Sequence, residues 1–342
     1  MMASKLRSTL RRSLLYVPAS SQKMLLKSLG IKSDNMTYDL EDSVIPSMKE
    51  SARTHLKTHL DGMDRNPAFM SEVAVRVNAV STTFALEDIR MLASSPRLNA
   101  IVVPKVESAA DLTFVTEALR HVAPERQAIG SSDPIKIIAL IESARAVMNL
   151  SSICRASPYL DGLAFAAEDF ALDLSITRTP SLKEFLYARS AIVTAARAYD
   201  VASVIDLVCT SYHGDKGVQR LEEQTCIAQL ISIYHIQIRR SVEEECFGGK
   251  AMGFNGKQCI HPSQVDLVQR MFSPSEAEME WAVRVTIADE KAAGSGRGAW
   301  TLDGKMIDAP VVNKAKSIVA RAEQAGLEIK RLRIKYKGQE PE

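Results

Sequence analysis

The runs 135-IKIIALIESARAVMNL-150 and 161-DGLAFAAEDFALDL-174 decide how the chain folds. Each is a short apolar stretch ending in an acid where a strand hands over to a loop. Glu142 closes IIALIE, and Glu168 with Asp169 closes GLAFAAED. A strand buried on both faces, as in a parallel sheet, reads as a continuous hydrophobic run, and an acid does not belong inside one. At the carboxyl end of such a strand an acid faces the mouth of a barrel or the crevice of an open sheet. Either acid alone fits a helix cap or an Arg pair equally well. The two in register on neighbouring strands fit a shared divalent cation better, because hard cations take oxygen ligands and magnesium commonly uses one or two carboxylates.

Outward from these runs the chain alternates β-rich and helical patterns. Further strands are expected at 13-SLLYV-17, 36-MTYDL-40, 73-VAVRV-77, 100-AIVVP-104, 201-VASVID-206 and 257-KQCIH-261, beside 136–141 and 162–166. Helices are expected over 48–60, 108–122 and 181–199, the last opened by a capping box of Ser181 and Glu184. Eight βα units point to an α/β fold, a (β/α)8 TIM barrel, with a doubly wound sheet as the rival. A barrel requires functional groups at many strand ends. Here those ends carry Tyr16, Asp39, Glu41, Asp42, Arg76, Asn78, Lys105, Glu107, Glu142, Glu168, Asp169, Asp206 and His261. A purely structural scaffold has no reason to line one rim this way, so the chain reads as an enzyme.

The 342 residues carry a net charge of +2, too near neutral for electrostatic binding of nucleic acid, and 46% are hydrophobic. No apolar run approaches the ~20 residues needed to span a bilayer. Five scattered cysteines without CxxC spacing fit a reducing compartment. Residues 1–12 form a basic, acid-free segment with the composition of a short mitochondrial presequence, and the expected location is the mitochondrial matrix or, without such targeting, the cytoplasm. Residues 13–293 are expected to be the catalytic barrel, and 294–342 a C-terminal helical and hairpin extension. That extension would hold a Gly-rich hinge (294-GSGRG-298), an Asp-Gly hairpin (299-AWTLDGKMIDAP-310), a helix near 311–326 and the basic tail 330-KRLRIKYK-337, read as a solvated or frayed end. The extension reads as a lid, an arm reaching elsewhere, or a plain decorated terminus.

The seventh βα connection is too long. About fifty residues separate Asp206 from the eighth strand, and 219-QRLEEQ-224 is echoed by 240-RSVEEE-245 around the apolar 226-CIAQLISIYHIQI-238. An insertion is expected around 224–243: a buried segment, an oligomer contact, or sequence foreign to the fold such as a translated intron.

The blocks RRSLLYVPASSQKML, TYDLEDSV, VRVN, VVPKVES, IALIESARAVMNL, FAAEDFALDL, LYARSAIVTAARA, GFNGKQCIHPSQV and GRGAWTLDGKMIDAPVV resemble the citrate lyase β-subunit-like proteins of the HpcH/HpaI aldolase/citrate lyase family. The similarity runs from residue 12 to about 325 and is nearest to members acting on malyl- or citramalyl-coenzyme A. It implies a barrel, a homotrimer and Mg2+ as cofactor. The metal carboxylates would be Glu142 and Asp169, and Arg76 would hold the substrate carboxylate. Tyr16, Lys23, Ile260 and His261 would lie near the coenzyme A thioester. Asp308 would act as acid or base on the neighbouring subunit. The loop YVPASS lacks a glycine common in the family. Glu41 is expected to orient Arg76 or a metal-bound water, or to form a rim salt bridge. Lys105 is placed for rival Schiff-base chemistry; His261 suits a structural hydrogen bond; Cys209 and Cys259 read as core. The expected function is Mg-dependent lysis or formation of a 3-hydroxyacyl-CoA thioester. The alternatives are a partner-dependent citrate lyase β-like subunit and a metal-dependent aldolase acting on free 2-keto acids.

Overall fold

The computed structural model describes residues 9–63, 70–210, 228–294 and 298–342, except the side chains of 228–237. They form two compact units, one ending at Gln269 and one starting at Arg270.

The first unit is a closed, all-parallel barrel of β1 (Ser13–Pro18), β2 (Asn35–Asp39), β3 (Glu72–Arg76), β4 (Ala100–Val103), β5 (Lys136–Ile141), β6 (Leu160–Phe165), β7 (Ser203–Asp206) and β8 (Gly256–Cys259). Strand β8 returns to β1 through Ser13↔Lys257, Leu14↔Gln258 and Leu15↔Cys259, so no sheet edge is left open. All eight expected strands are present, and closure removes the doubly wound alternative. The interior is filled by Leu14, Ala74, Ala100, Val102, Ile138, Leu140, Ala164 and Ile205, with Tyr16 above them. Leu14 and Tyr16, or Ile138 and Leu140, are two apart, which is the strand repeat that brings alternate side chains to one face. The barrel is therefore solid, and function is confined to its C-terminal rim.

The opposite face is closed by charge. Arg11 donates from Nε and Nη2 to the two carboxylate oxygens of Glu72 at 2.6 and 2.7 Å, and from Nη1 to Ser203 Oγ at 2.9 Å. Asp161 Oδ2 lies 2.6 Å from the same Nη1. Arg12 makes a forked contact with Asp34. Both arginines fall in the basic segment 1–12, yet both build the barrel floor; residues 1–8 lie outside the described part.

Helices follow the strands: α1 (Gln22–Ser28), α2 (Lys49–Asp61), α3 (Ala85–Leu92), α4 (Ala109–Val122), α5 (Ala144–Met148), α6 (Leu150–Arg155), α7 (Ala167–Leu174), α8 (Leu186–Ala198), α9 (Ala228–Met252) and α10 (Pro262–Phe272). A capping box forms at α4 between Ser108 and Asp111. The one expected at Ser181 does not form. Glu184 reaches past Ser181 to the backbone N–H of Thr179 at 2.5 Å and its hydroxyl at 2.8 Å, and α8 begins only at Leu186 after a short 3-10 turn.

Of the expected insertion, 224–227 lie outside the described residues, with the echo 219-QRLEEQ-224 and Cys226, whereas 228–243 belong to α9. The later part of that helix is fitted closely to the barrel. Val242 and Cys246 are buried, and a Cβ on Gly249 would stand 2.4 Å from Asp206 Oδ2.

The second unit packs α11 (Glu276–Gly294) against α12 (Ala309–Gln324) and α13 (Ile329–Lys335). Residues 270–293, grouped with the barrel in the sequence reading, fall in this unit. The hairpin β9 (Trp300–Leu302) and β10 (Lys305–Ile307) turns at Asp303 and Gly304, both left-handed with φ of 51° and 71°, the geometry an Asp-Gly two-residue turn supplies. The basic tail is not frayed: it forms α13, which buries Ile329 and Leu332 in the apolar cluster of this unit. Among the described residues no helix is long and apolar enough to cross a membrane.

Candidate active site

Arg76, the last residue of β3, organises one half of the rim. Its Nε and Nη2 each donate to a different oxygen of Asp39, both at 2.7 Å. Its Nη1 lies 3.0 Å from Glu41 Oε2 and 3.3 Å from Asp42 Oδ2. The guanidinium stacks over the Tyr16 ring at 4.8 Å, a favourable cation–π arrangement. Burial alone would raise the Asp39 carboxyl, but the forked bonds and charge of Arg76 outweigh it and hold it below the usual range. Asp39 occupies the Nε/Nη2 edge, and Nη1 faces Glu41 and Asp42, with which an incoming carboxylate would compete.

Tyr16 is itself held from below. Its hydroxyl donates to Gln258 Oε1 at 2.8 Å, while Gln258 Nε2 donates to the carbonyls of Phe165 and Asp206. Burial pushes the phenol far above its ordinary value, so Tyr16 is neutral and serves as a hydrogen-bonding and stacking group.

Lys105, one residue beyond the proline that follows β4, adopts a left-handed backbone with φ of 50°, an unusual state for a non-glycine. It delivers Nζ to Glu41 Oε1. Burial lowers the ammonium pKa, yet Glu41 and Asp42 more than reverse this and raise it. A charged, ion-paired lysine is not a nucleophile, which argues against the Schiff-base alternative. Glu41 is therefore a salt-bridge partner of both Arg76 and Lys105, and burial nevertheless pushes its carboxyl up.

Glu142, immediately after β5, shares with Glu41 a buried Oε2 that lacks a hydrogen-bond partner among the described residues. Glu41 Oε2, however, lies 3.0 Å from Arg76 Nη1, whereas Glu142 makes no ion pair among the described residues. The Glu142 side chain is 5% exposed. Burial first, then the charges of Glu41 and Asp169, push its carboxyl up to about 8. Asp169 lies on the first turn of α7 with Glu168, one step later than the strand end expected for both. A helix N-terminus is a favourable place for negative charge.

Two adjoining cavities share Asp169. One, of about 380 Å³, is lined by Tyr16, Asp39, Asp42, Arg76, Glu168 and Ile260 among others; the second, of about 460 Å³, by Lys105, Glu107, Glu142 and Asp173 among others. An unpartnered, desolvated carboxylate oxygen beside a second carboxylate fits a hard cation that completes its shell with water and substrate oxygens. No group of three or more His, Cys, Asp or Glu side chains suited to a metal occurs among the described residues, so such an ion would rest on two carboxylates.

Tyr16, Arg76, Asp169 and Ile260 thus come together, with Glu142 next to them and Glu41 bound to Arg76. Lys23 is exposed on α1 and outside both cavity walls. His261 also lies outside them, its Nδ1 2.8 Å from Ser263 Oγ, in keeping with a structural hydrogen bond. Cys209 and Cys259 are buried. Asp308 belongs to the second unit and is the N-cap of α12, its carboxylate accepting from the Val311 N–H at 3.2 Å. Asp39, as the forked partner of Arg76, and Gln258 were not anticipated. A buried polar residue inside the strand GKQC was the available signal for Gln258.

Known proteins share this architecture. The chain is 32% identical to the mitochondrial citramalyl-CoA lyase of Homo sapiens over 91% of its own length and 85% of that protein's. It is 33% identical to the citrate lyase subunit beta of Haemophilus influenzae, covering 92% and 97%. The crystal structure of protein CitE from Mycobacterium tuberculosis in complex with magnesium, acetoacetate and coenzyme A superposes with a TM-score of 0.65 at 27% identity, over 92% of this chain and 97% of that one. Residues 12–230, which hold seven of the eight barrel strands and every rim acid described above, match the family pattern itself. The chain belongs to the HpcH/HpaI aldolase/citrate lyase family.

Proposed function

We propose that the protein is a magnesium-dependent carbon–carbon lyase that cleaves, or in reverse forms, a 3-hydroxyacyl-CoA thioester of the malyl-CoA or citramalyl-CoA type. The observation that carries this reading is Glu142: a buried carboxylate with an oxygen that has no hydrogen-bond partner among the described residues, beside Asp169 and adjacent to a cavity that ends in a guanidinium. That is the donor set for a metal and an α-hydroxy or α-keto acid together. The names of the relatives, citramalyl-CoA lyase and citrate lyase subunit beta, support the reaction class. The magnesium and coenzyme A in the Mycobacterium tuberculosis complex support the cofactor and the carrier.

Glu142 and Asp169 would hold Mg2+, which supplies Lewis acidity toward the hydroxyl and carboxylate oxygens of the substrate. Arg76 would grip the distal carboxylate through Nη1, in competition with Glu41 and Asp42, kept in place by Asp39 on one edge and Tyr16 beneath. Glu41 and Lys105 would fix the charge balance of the rim. Tyr16 and Ile260 would face the thioester end of the cavity, with Lys23 and His261 toward the nucleotide. Asp308, supplied by a neighbouring subunit of a homotrimer, would protonate the departing enolate carbon or abstract the same proton in condensation. A mitochondrial location is the reading favoured by the basic N-terminal segment and the human relative's name.

The decisive experiment follows acyl-CoA release from (S)-citramalyl-CoA and malyl-CoA with magnesium and with EDTA. Turnover that EDTA and Glu142→Ala both abolish is the expected result; turnover that survives both would end the metal-lyase reading. The comparable identity to a citrate lyase beta subunit favours a second reading, a subunit active only with partner proteins. A folded, magnesium-binding protein that is inert alone on both thioesters would select it.

A further inference from the structure

Arg178 sits in the loop after α7 and ties three elements together. Its Nη1 donates to Glu168 Oε1 at 2.5 Å, and its Nη2 donates to the carbonyl of Val208 at 3.0 Å and to Glu245 Oε1 of α9 at 2.7 Å. The other oxygen of Glu245 accepts from the buried Lys257 Nζ at 2.8 Å, and that ammonium also donates to the Leu207 carbonyl. The Arg178 side chain is 15% exposed. The loop is bracketed by two left-handed residues, Ser175 with φ of 55° and Leu182 with φ of 51°, so its path is tightly specified.

Glu168 precedes Asp169 on the first turn of α7, and both line the same cavity. Two carboxylates with water and substrate suit magnesium, which demands a small octahedral shell. A third carboxylate raises ligand number and charge toward what calcium prefers. We propose that Arg178 is a positioning residue that holds Glu168 out of the metal shell, keeping the site a two-carboxylate, magnesium-selective one. This rests on the reading of Glu142 and Asp169 as the metal carboxylates. The forked guanidinium is suited to the task because one nitrogen takes Glu168 while the other is anchored to α9 and to the loop after β7.

The test is calorimetric titration of the metal-stripped full-length protein with Mg2+ and with Ca2+, for wild type, Arg178→Met, Glu168→Gln and the double variant. The expected result is a loss of about tenfold in the Mg2+ over Ca2+ affinity ratio for Arg178→Met, the scale on which partners of metal ligands act. The wild-type ratio should return in Glu168→Gln/Arg178→Met, where no carboxylate is left to intrude. Arg178→Lys, which keeps the charge and loses the fork, should lie between; it carries the test if the methionine variant does not fold. A wild-type ratio in a folded Arg178 variant overturns the proposal. So does a ratio that stays altered in the double variant, because the effect would then run through the fold and not through Glu168. Magnesium binding at wild-type strength by Glu142→Ala would instead remove the reading of the metal site beneath it.

Discussion

A carboxylate that is 5% exposed, with one oxygen lacking a hydrogen-bond partner among the described residues, is a costly thing to place at Glu142. In metal-free protein the cost is relieved by protonation, which is why burial and the neighbouring acids push the group up to about 8 from its usual 4.5. The sign of the linkage follows. Between pH 4.5 and 8 the folded state binds a proton that the unfolded state has released, so stability falls as pH rises through that window. For metal-stripped protein, denaturant unfolding should show a loss of a few kcal/mol from about pH 5 to about pH 8, and Glu142→Gln should flatten most of it. Excess Mg2+ should restore stability most at the alkaline end, where no proton competes for the site. A Glu142→Gln variant with an unchanged slope would place the titrating group elsewhere. Glu142 and Arg76 were legible because a charge at the end of an apolar strand has few structural excuses. Arg178 was not, since nothing in the loop sequence ITRT says that its guanidinium meets Glu168 and Glu245.

At the scale of elements, all eight strands were legible because a parallel barrel buries both faces of each strand and leaves an apolar run behind. The barrel was favoured over an open sheet by the eight βα units and the functional groups at so many strand ends, and β8 meeting β1 is the pairing that closes it. The capping box assigned to Ser181 failed for a local reason: Glu184 found a nearer partner in the Thr179 N–H. The tail helix α13 was hidden by its lysines and arginines, which mask the Ile329 and Leu332 positions that dock it. The barrel floor makes the sharpest stability prediction among the elements. Arg11 meets Glu72 and Asp161 with its side chain wholly enclosed. Arg11→Met would leave Glu72 buried without a counter-charge, and removing one partner of such a pair typically costs about 3–5 kcal/mol. Equilibrium unfolding in urea measures it directly, with a shift below about 1 kcal/mol as the contrary result. The same observation bears on the N-terminus, since removing residues 1–12 would take Arg11 and Arg12 with it. A cleavage site compatible with folding must fall before Arg11.

At the scale of the whole molecule, Asp308 joins a structural role to a proposed catalytic one. In its own unit it caps α12, which is reason enough for an acid at that position. The proposed function would have it act in the active site of a neighbouring subunit, and the two roles predict different things. A cap alone makes Asp308→Asn nearly silent, because asparagine caps as well as aspartate. A catalytic acid makes the same change abolish turnover while leaving the melting temperature in place. If Asp308→Asn is inactive, subunit mixing decides whether the arm works in trans. Co-expressed with Glu142→Ala, each variant supplies what the other lacks. In a randomly mixed cyclic oligomer, a site needs an intact barrel from one subunit and an intact Asp308 from its neighbour, so about a quarter of the sites are complete. Recovery of about a quarter of wild-type turnover from two inactive variants would establish both the oligomer and the exchange of the arm. A mixture as inactive as its parents, with mixed assemblies verified by native mass spectrometry, would confine Asp308 to the subunit that carries it.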